Sequence, residues 1–264
     1  MRGRVLIVAG SDSGGGAGIQ ADIKAVTANN GYAMTAITAL TAQDTHGVHG
    51  VHVVPVDFIA QQMRLCLRDI GADAIKTGML HDSATIDAVA DTLEAEAKGI
   101  KLVVDPVMYA KGGHPLLLPE AVTTLKRRMM VLATVLTPNL PEAEALSGMT
   151  IRDPRDMRHA AQAMITLGCQ AVLLKGGHLD SDAIVDILAT QGGVKVFESA
   201  RIKTKATHGT GCTLASAIAT GLAQNLDLET AVGRARDYVR RAMETAPGYG
   251  GGHGPLNHAH PFDR

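Results

Sequence analysis

The chain has 264 residues, of which 46% are hydrophobic and 19% charged, a balance that excludes a disordered protein and leaves apolar surface for a sizeable core. Its 25 basic residues nearly equal its 26 acidic ones, so the net charge of −1 gives no electrostatic reason to expect a nucleic-acid or anionic-membrane partner. Aromatic residues make up only 3% and tryptophan is absent, so stacking platforms for single-stranded nucleic acid are scarce as well.

Short apolar runs alternate with helical stretches along the chain. The runs predict strands over residues 5–9, 34–42, 74–79, 102–104, 134–136 and 171–174, followed by a hairpin of 184–188 and 194–197. Strands that are apolar throughout and separated by amphipathic helices indicate a mostly parallel sheet covered by helices on both faces. Because neither a flexible linker nor a repeat interrupts this pattern, the sequence predicts one α/β domain over residues 1–264, with an irregular tail at 248–264.

Capping residues mark several helix ends. Asp153 is a suitable N-cap with Pro154 at the first helical position, and Gly168 stands where that helix should end. Asp227 can cap a last long helix, and apolar periodicity predicts another helix over residues 83–97.

Cysteine usage and hydropathy bear on the cellular compartment. Cys66, Cys169 and Cys212 are far apart and form no CxxC pair, which argues against a disulfide framework or a zinc site. The first apolar run is too short for a signal peptide, and no stretch approaches the length of a membrane span. These features predict a cytoplasmic protein without a membrane partner.

Polar residues follow most of the predicted strands, at the point where each strand ends. They are Gln43 with Asp44, Lys76 with Thr77, Asp105, Asn139 with Glu142, Lys175, and the turn from Gly209 to Cys212. Ligands of open α/β sheets bind at the carboxyl ends of the strands, so we expect these residues to meet at one edge of the sheet. Carboxylates, an amide, lysines and an anion hole are what phosphoryl transfer needs, whereas strand-end polar residues taken singly are often only caps or turns.

The turn from Gly209 to Cys212 opens a predicted helix. Its free N–H groups at the positive end of the helix dipole form an anion hole suited to a phosphoryl group. The same location lowers a thiol pKa, so Cys212 is expected to be a thiolate that can accept a proton. The alternative is an ordinary glycine turn before a core helix, with Cys212 as a small buried residue.

A glycine-rich loop after the first strand offers a competing interpretation. Gly16, Gly18 and Ala21 fit the dinucleotide-binding pattern, with Asp44 as the acidic residue further along, which would make the chain a nicotinamide-dependent oxidoreductase. The loop is longer than the tight turn of that motif, and no Walker A pattern is present.

Eight motifs in order along the chain carry a resemblance. They are Ala9–Asp22, Thr38–Gln43, Lys76–Leu80, Val104–Met108, Thr137–Glu142, Leu174–His178, Gly209–Thr213 and Gly252–His258. Together they resemble the ribokinase-type superfamily and, within it, the hydroxymethylpyrimidine/phosphomethylpyrimidine kinase family of thiamine biosynthesis. The resemblance implies a three-layer α/β/α sandwich with a mostly parallel central sheet and no large separate lid domain.

The resemblance also implies roles for the predicted site residues. Cys212 would be the general base at the substrate hydroxymethyl group, and Gly209, Thr210 and Gly211 would form the anion hole. Asp105 and Glu142 would bind Mg²⁺, and Lys175, Asn139 and Gly177 would bind ATP. Gln43 and Asp22 would form hydrogen bonds with the edge of the pyrimidine. Ala17, Met79 and Val107 would form an apolar slot for its ring.

The implied reaction is ATP-dependent phosphorylation of 4-amino-5-hydroxymethyl-2-methylpyrimidine to its monophosphate and then to its diphosphate, with Mg²⁺ as cofactor. A pyridoxal kinase of the same fold is the alternative. In sugar kinases of the superfamily, the corresponding turn resembles Gly-Ala-Gly-Asp, with the aspartate as base. This chain has Thr210 in place of the alanine and Cys212 in place of the aspartate. The resemblance further implies a homodimer.

Overall fold

The apolar runs form one nine-stranded sheet in a computed structural model of the chain, which describes residues 2–179 and 181–263. The strands are β1 (Arg4–Asp12), β2 (Tyr32–Gln43), β3 (Val48–Val53), β4 (Ala74–Thr77), β5 (Lys101–Val104), β6 (Val135–Leu136), β7 (Ala171–Leu174), β8 (Ala183–Thr190) and β9 (Gly193–Ala200). Their order in the sheet is β3-β2-β1-β4-β5-β6-β7-β8-β9. The six strands from β2 to β7 in that order are parallel, and antiparallel pairing adds β3 at one edge and the β8–β9 hairpin at the other.

Helices cover both faces of this sheet. They are α1 (Gly18–Ala28), α2 (Val56–Asp69), α3 (Ser83–Glu96), α4 (Ala121–Leu132), α5 (Leu140–Ser147), α6 (Pro154–Thr166), α7 (Thr210–Ala223) and α8 (Leu228–Glu244). Alternate strand residues face opposite sides, so Leu6 and Val8 pack with α2 to α6 while Val5 and Ile7 pack with α1, α7 and α8. The expected three-layer sandwich and mostly parallel sheet are confirmed. In the part of the chain that the structure describes, no separate lid domain stands apart from this sheet.

The predicted caps and hairpin are confirmed. The Asp153 carboxylate accepts the N–H groups of Arg155 and Asp156 at 2.8 Å each, with Pro154 at the first helical position. Asp227 accepts the N–H of Thr230 at 2.9 Å and begins α8. The helices α2, α4 and α5 were not predicted from the sequence.

Parallel pairing puts the carboxyl ends of β1, β2 and β4 to β7 at one edge of the sheet, where α7 also begins. The chain after α8 returns to this edge as an irregular segment, in which His253 donates its N–H to the Thr45 carbonyl at 2.8 Å, and ends in a 3-10 helix at His260–Phe262. Among the helices of residues 2–179 and 181–263, none is both long and apolar enough to cross a bilayer.

Candidate active site

A cavity of about 970 Å³ opens at the carboxyl edge of the sheet. It brings together every residue to which the resemblance gives a role except Asp22. Of the other strand-end residues, Lys76 lines the cavity, whereas Asp44 and Thr77 do not. Its walls include Ala17, Gln43, Met79, Asp105, Val107, Asn139, Glu142, Lys175, Gly177, Gly209, Thr210, Gly211 and Cys212.

The glycine turn before α7 has the geometry of an anion hole. Gly209 is the N-cap, with a left-handed backbone (φ +80°) and no room for a Cβ, which would overlap the carbonyl oxygen of Gly16. The first helical bond runs from the N–H of Thr213 to the Gly209 carbonyl at 2.9 Å. Within the described residues, the N–H groups of Thr210, Gly211 and Cys212 have no acceptor, so they are free for an anion in the cavity.

The Cys212 thiol forms part of the cavity wall at the start of α7. Burial raises its pKa to about 12; the Lys76 ammonium opposes this shift, and the carboxylates of Asp22 and Asp105 add to it. The expectation of a thiolate stabilised by the helix N-terminus is therefore wrong for this state of the site, because desolvation outweighs the favourable dipole and ammonium.

A buried ion pair lies behind this thiol. Both oxygens of Asp22 accept from Lys76 Nζ at 2.9 Å, and Asp22 Oδ1 also accepts from Ser216 Oγ at 2.7 Å. Neither charged side chain has any exposed surface. Burial alone would lower the Lys76 pKa, but the charges of Asp22, Cys212 and Asp105 outweigh it and raise that pKa above its ordinary value.

Asp22 therefore does not occupy the position expected of a substrate ligand. Its carboxylate is fully buried and does not line the cavity, whereas Lys76, which binds it, does. The structure places Asp22 one layer behind the wall, because an ammonium buried at this depth needs a carboxylate partner.

A second lysine and a second carboxylate lie opposite the glycine turn. Lys175 Nζ donates to Asp105 Oδ1 at 3.1 Å, and Thr137 Oγ1 donates to the same oxygen at 3.1 Å. A Cβ built on Gly211 would lie 3.4 Å from Lys175 Nζ and 3.5 Å from Asp105 Oδ2. The N–H groups of the turn, a lysine and a carboxylate therefore face the same space.

Glu142 is held by the start of α5. Its Oε2 accepts the N–H of Asn139 at 2.8 Å, and Asn139 Oδ1 accepts the N–H of Glu142 at 3.0 Å, which is a reciprocal capping box. Burial raises the pKa of Glu142 to about 7; Lys175 opposes this shift and Asp105 adds to it. In the described part of the chain, no group of three or more histidine, cysteine or acidic side chains is placed to hold a metal ion.

We expect Glu142→Gln to stabilise the protein at pH 8 by on the order of 1–3 kcal/mol relative to the native chain. Burial raises the carboxyl pKa from 4.5 to about 7, so between these values the unfolded chain loses its proton first and the free energy of unfolding falls as pH rises. An amide keeps the acceptor for Asn139 and removes the titration.

Chemical unfolding from pH 4.5 to pH 8 measures this difference. The matched control is Glu120→Gln, since Glu120 is exposed and its side chain caps nothing. A difference between Glu142→Gln and the native chain that stays constant across this pH range would contradict the prediction.

The other end of the cavity has an apolar slot with a few directional groups. Ala17, Met79 and Val107 contribute apolar surface, and Gln43 donates its amide N–H to Thr41 Oγ1 at 2.6 Å. This mixture suits a small planar heterocycle with polar substituents.

The glycine-rich loop after β1 wraps around its own carboxylate. Asp12 accepts the N–H groups of Gly14 at 2.7 Å, Gly16 at 3.0 Å and Ala17 at 2.7 Å. Burial alone would raise the Asp12 pKa, but His208 and these N–H groups outweigh it and lower that pKa. The loop therefore does not offer these N–H groups to a pyrophosphate, which removes the structural support for a dinucleotide site.

Sequence analysis missed three polar residues around this cavity. Lys76 was noted only as a strand-end residue, although a lysine inside an apolar strand is itself a signal of a paired, buried charge. Asp12 lies within the motif Ala9–Asp22, but nothing in the sequence shows its contact with His208, because the two residues are 196 positions apart.

Comparison with known proteins gives consistent matches. A family model described as phosphomethylpyrimidine kinase matches residues 12–257. Over 257 residues the chain is 52% identical to the thiamine biosynthesis bifunctional protein ThiED of Geobacter sulfurreducens, covering 97% of this chain and 52% of that relative, so it spans about half the relative's length. Over 256 residues it is 45% identical to a hydroxymethylpyrimidine/phosphomethylpyrimidine kinase of Bacillus subtilis, covering 97% of this chain and 94% of that protein.

A solved structure extends this comparison to the fold. The ADP complex of Bacillus subtilis pyridoxal kinase superposes with a TM-score of 0.90 and 37% identity, covering 98% of each chain. The expected ribokinase-like architecture is thereby confirmed.

Proposed function

The chain belongs to the phosphomethylpyrimidine kinase family and is a phosphotransferase, and from this we propose that it phosphorylates 4-amino-5-hydroxymethyl-2-methylpyrimidine and then the resulting monophosphate in thiamine biosynthesis. The observation that carries the proposal is the shared cavity. Unpaired N–H groups before α7, the Cys212 thiol, a lysine and two carboxylates line it together with an apolar slot.

We assign the reacting positions from this arrangement. The hydroxymethyl group would lie beside Cys212, whose thiolate form would take the hydroxyl proton as the oxygen attacks the γ-phosphorus of ATP. The bond from that phosphorus to the bridging oxygen would break, and ADP would leave. The N–H groups of Thr210, Gly211 and Cys212 would bind the equatorial oxygens where negative charge accumulates. The slot of Ala17, Met79 and Val107 would hold the ring, with Gln43 at its polar edge.

The residues also fit ATP and Mg²⁺. Lys175 is the cation facing the turn, and Asn139 and Gly177 line the same side of the cavity. Within the described residues, Asp105 Oδ2 accepts no hydrogen bond, and Glu142 supplies a second buried carboxylate. Mg²⁺ binds through one or two carboxylates plus substrate phosphates, and when bound it would neutralise phosphate charge.

Product analysis by mass spectrometry tests this function. The protein is incubated with Mg-ATP and, in parallel, with hydroxymethylpyrimidine, its monophosphate or pyridoxal. We expect one added phosphate on the monophosphate and up to two on the alcohol. Phosphorylation of pyridoxal alone would reject the proposal in favour of a pyridoxal kinase. The structural similarity to the Bacillus subtilis pyridoxal kinase is the reason for testing this alternative.

We further propose that residues 1–264 act as one kinase domain, as a homodimer in the cytoplasm without a nucleic-acid partner. The near-zero net charge and three free cysteines support the compartment and the absence of nucleic acid. Exposed apolar side chains on α2, Phe58 and Leu65, support an association surface. Light scattering in solution gives the molar mass that tests the dimer.

A further inference from the structure

One polar contact joins the two glycine-rich loops of the cavity. His208 Nε2 lies 2.8 Å from Asp12 Oδ2, and the two side chains are 11% and 1% exposed. Asp12 stands at the end of β1 and organises the loop over the apolar slot, whereas His208 directly precedes Gly209 and the anion hole. The contact therefore connects the part of the site proposed for the heterocycle with the part proposed for the phosphoryl group.

The two loops also pack closely against each other at a glycine in each loop. A Cβ on Gly16 would overlap the His208 ring, and a Cβ on Gly209 would overlap the Gly16 carbonyl oxygen. Each loop thus has a glycine where the other loop approaches, so a shift of one loop displaces the other.

The irregular segment after α8 holds His208 from the other side. The N–H of His208 donates to the Gly254 carbonyl at 3.2 Å, and His208 forms a parallel bridge with Pro255. The backbone of His208 is fixed by this segment and its ring by Asp12, which leaves little freedom for the turn that follows.

We propose that Asp12 and His208 are positioning residues, which hold the N–H groups of the Gly209–Cys212 turn in register with the loop over the substrate slot. The proposal rests on the proposed kinase function and deepens it. Neither side chain has to touch the substrate. Their effect is on the placement of the N–H groups, and a misplacement of about 1 Å is enough to lower a rate by about 100-fold.

Three histidine variants test the proposal by steady-state kinetics. His208→Ala is expected to lower kcat by about 10–100-fold with much smaller changes in the KM for the pyrimidine and for ATP, since the binding groups remain in place. His208→Gln, whose amide can still donate to Asp12, is expected to recover most of this loss. His159→Ala, at an exposed position of α6, is the matched control and should leave kcat unchanged.

Two further measurements separate positioning from loss of structure. If the residues act through one contact, Asp12→Asn combined with His208→Ala should lower kcat no further than the more damaging single variant. Thermal unfolding of each variant identifies any loss of folded protein, and kcat is referred to the folded fraction.

Hydrogen exchange gives a readout that does not depend on the substrate. Amide exchange at positions 208 and 213, whose N–H groups donate to the Gly254 and Gly209 carbonyls, should be faster in His208→Ala than in the native chain, with no change in peptides from α6. Native exchange there, or a native kcat in folded His208→Ala, would overturn the positioning role. Failure of the native chain to phosphorylate any pyrimidine would instead reject the proposed substrate, and the exchange measurement would still decide the role of the pair.

Discussion

Replacement of Cys212 by alanine is expected to lower kcat by about 10²–10⁴-fold, the contribution typical of a general base. Alanine removes the group that takes the hydroxyl proton in our assignment, and it leaves the N–H groups of the turn in place. Binding of Mg-ATP, measured by calorimetry, should therefore survive.

The pH dependence of the reaction follows from the buried thiol. Because burial raises the Cys212 pKa to about 12, the thiolate fraction of the free enzyme grows as pH rises through the alkaline range, and kcat/KM should rise with it. Cys212→Asp introduces a carboxyl with a much lower ordinary pKa. We expect that variant to regain part of the activity lost in Cys212→Ala and to lose the alkaline rise.

Cys66→Ala is the matched control for both measurements, because Cys66 is a partly buried thiol on α2 outside the cavity. Near-native turnover of Cys212→Ala at neutral pH would reject the base assignment. A native pH profile in Cys212→Asp would show that the rise belongs to another group.

Asp22→Asn is expected to lower the free energy of unfolding by about 3–5 kcal/mol. The amide can still accept from Ser216, but it leaves the Lys76 ammonium, which has no exposed surface, without its counter-charge. Breaking a buried pair by removing one partner costs far more than the pair's net contribution to stability, because the remaining charge stays desolvated.

Denaturant unfolding of Asp22→Asn and of the double variant Asp22→Leu with Lys76→Met measures this effect. The double variant removes both charges and should lose less stability than Asp22→Asn alone. The matched control is Glu229→Gln, which breaks the Lys195–Glu229 pair at 2.7 Å between half-exposed side chains and should change stability by about 0–1 kcal/mol. A loss below about 1 kcal/mol in Asp22→Asn would contradict the prediction.

The sequence predicted a mostly parallel sheet and the edge that carries the cavity, but not the order of the strands or the edge strand β3. The continuous apolar runs could belong only to strands buried on both faces, and parallel strands bring their carboxyl ends together, so strand-end residues such as Lys175 met as expected. The helix α2 was not predicted, although its buried residues Ile59, Ala60 and Met63 recur at helical spacing.

Charge pairing at the site could not be read from the sequence. Lys76 and Asp22 are 54 residues apart, so nothing local shows that they neutralise each other. The direction of the Cys212 pKa shift was mistaken for a related reason. The helix N-terminus is visible in the sequence, whereas the depth of burial that outweighs it is a property of the packed molecule.

The segment that returns after α8 affects when the site can form during translation. It binds Thr45 across 207 residues through the N–H of Gly252, and it fixes His208, which itself reaches back 196 residues to Asp12. During translation the chain emerges from its N-terminus onward at about 5–20 residues per second, and a domain folds as a unit. The residues of the heterocycle slot are therefore synthesised early, whereas the contacts that hold His208 can form only after residues 252–255 have left the ribosome. We expect nascent chains arrested before that point to carry the sheet without catalytic capacity.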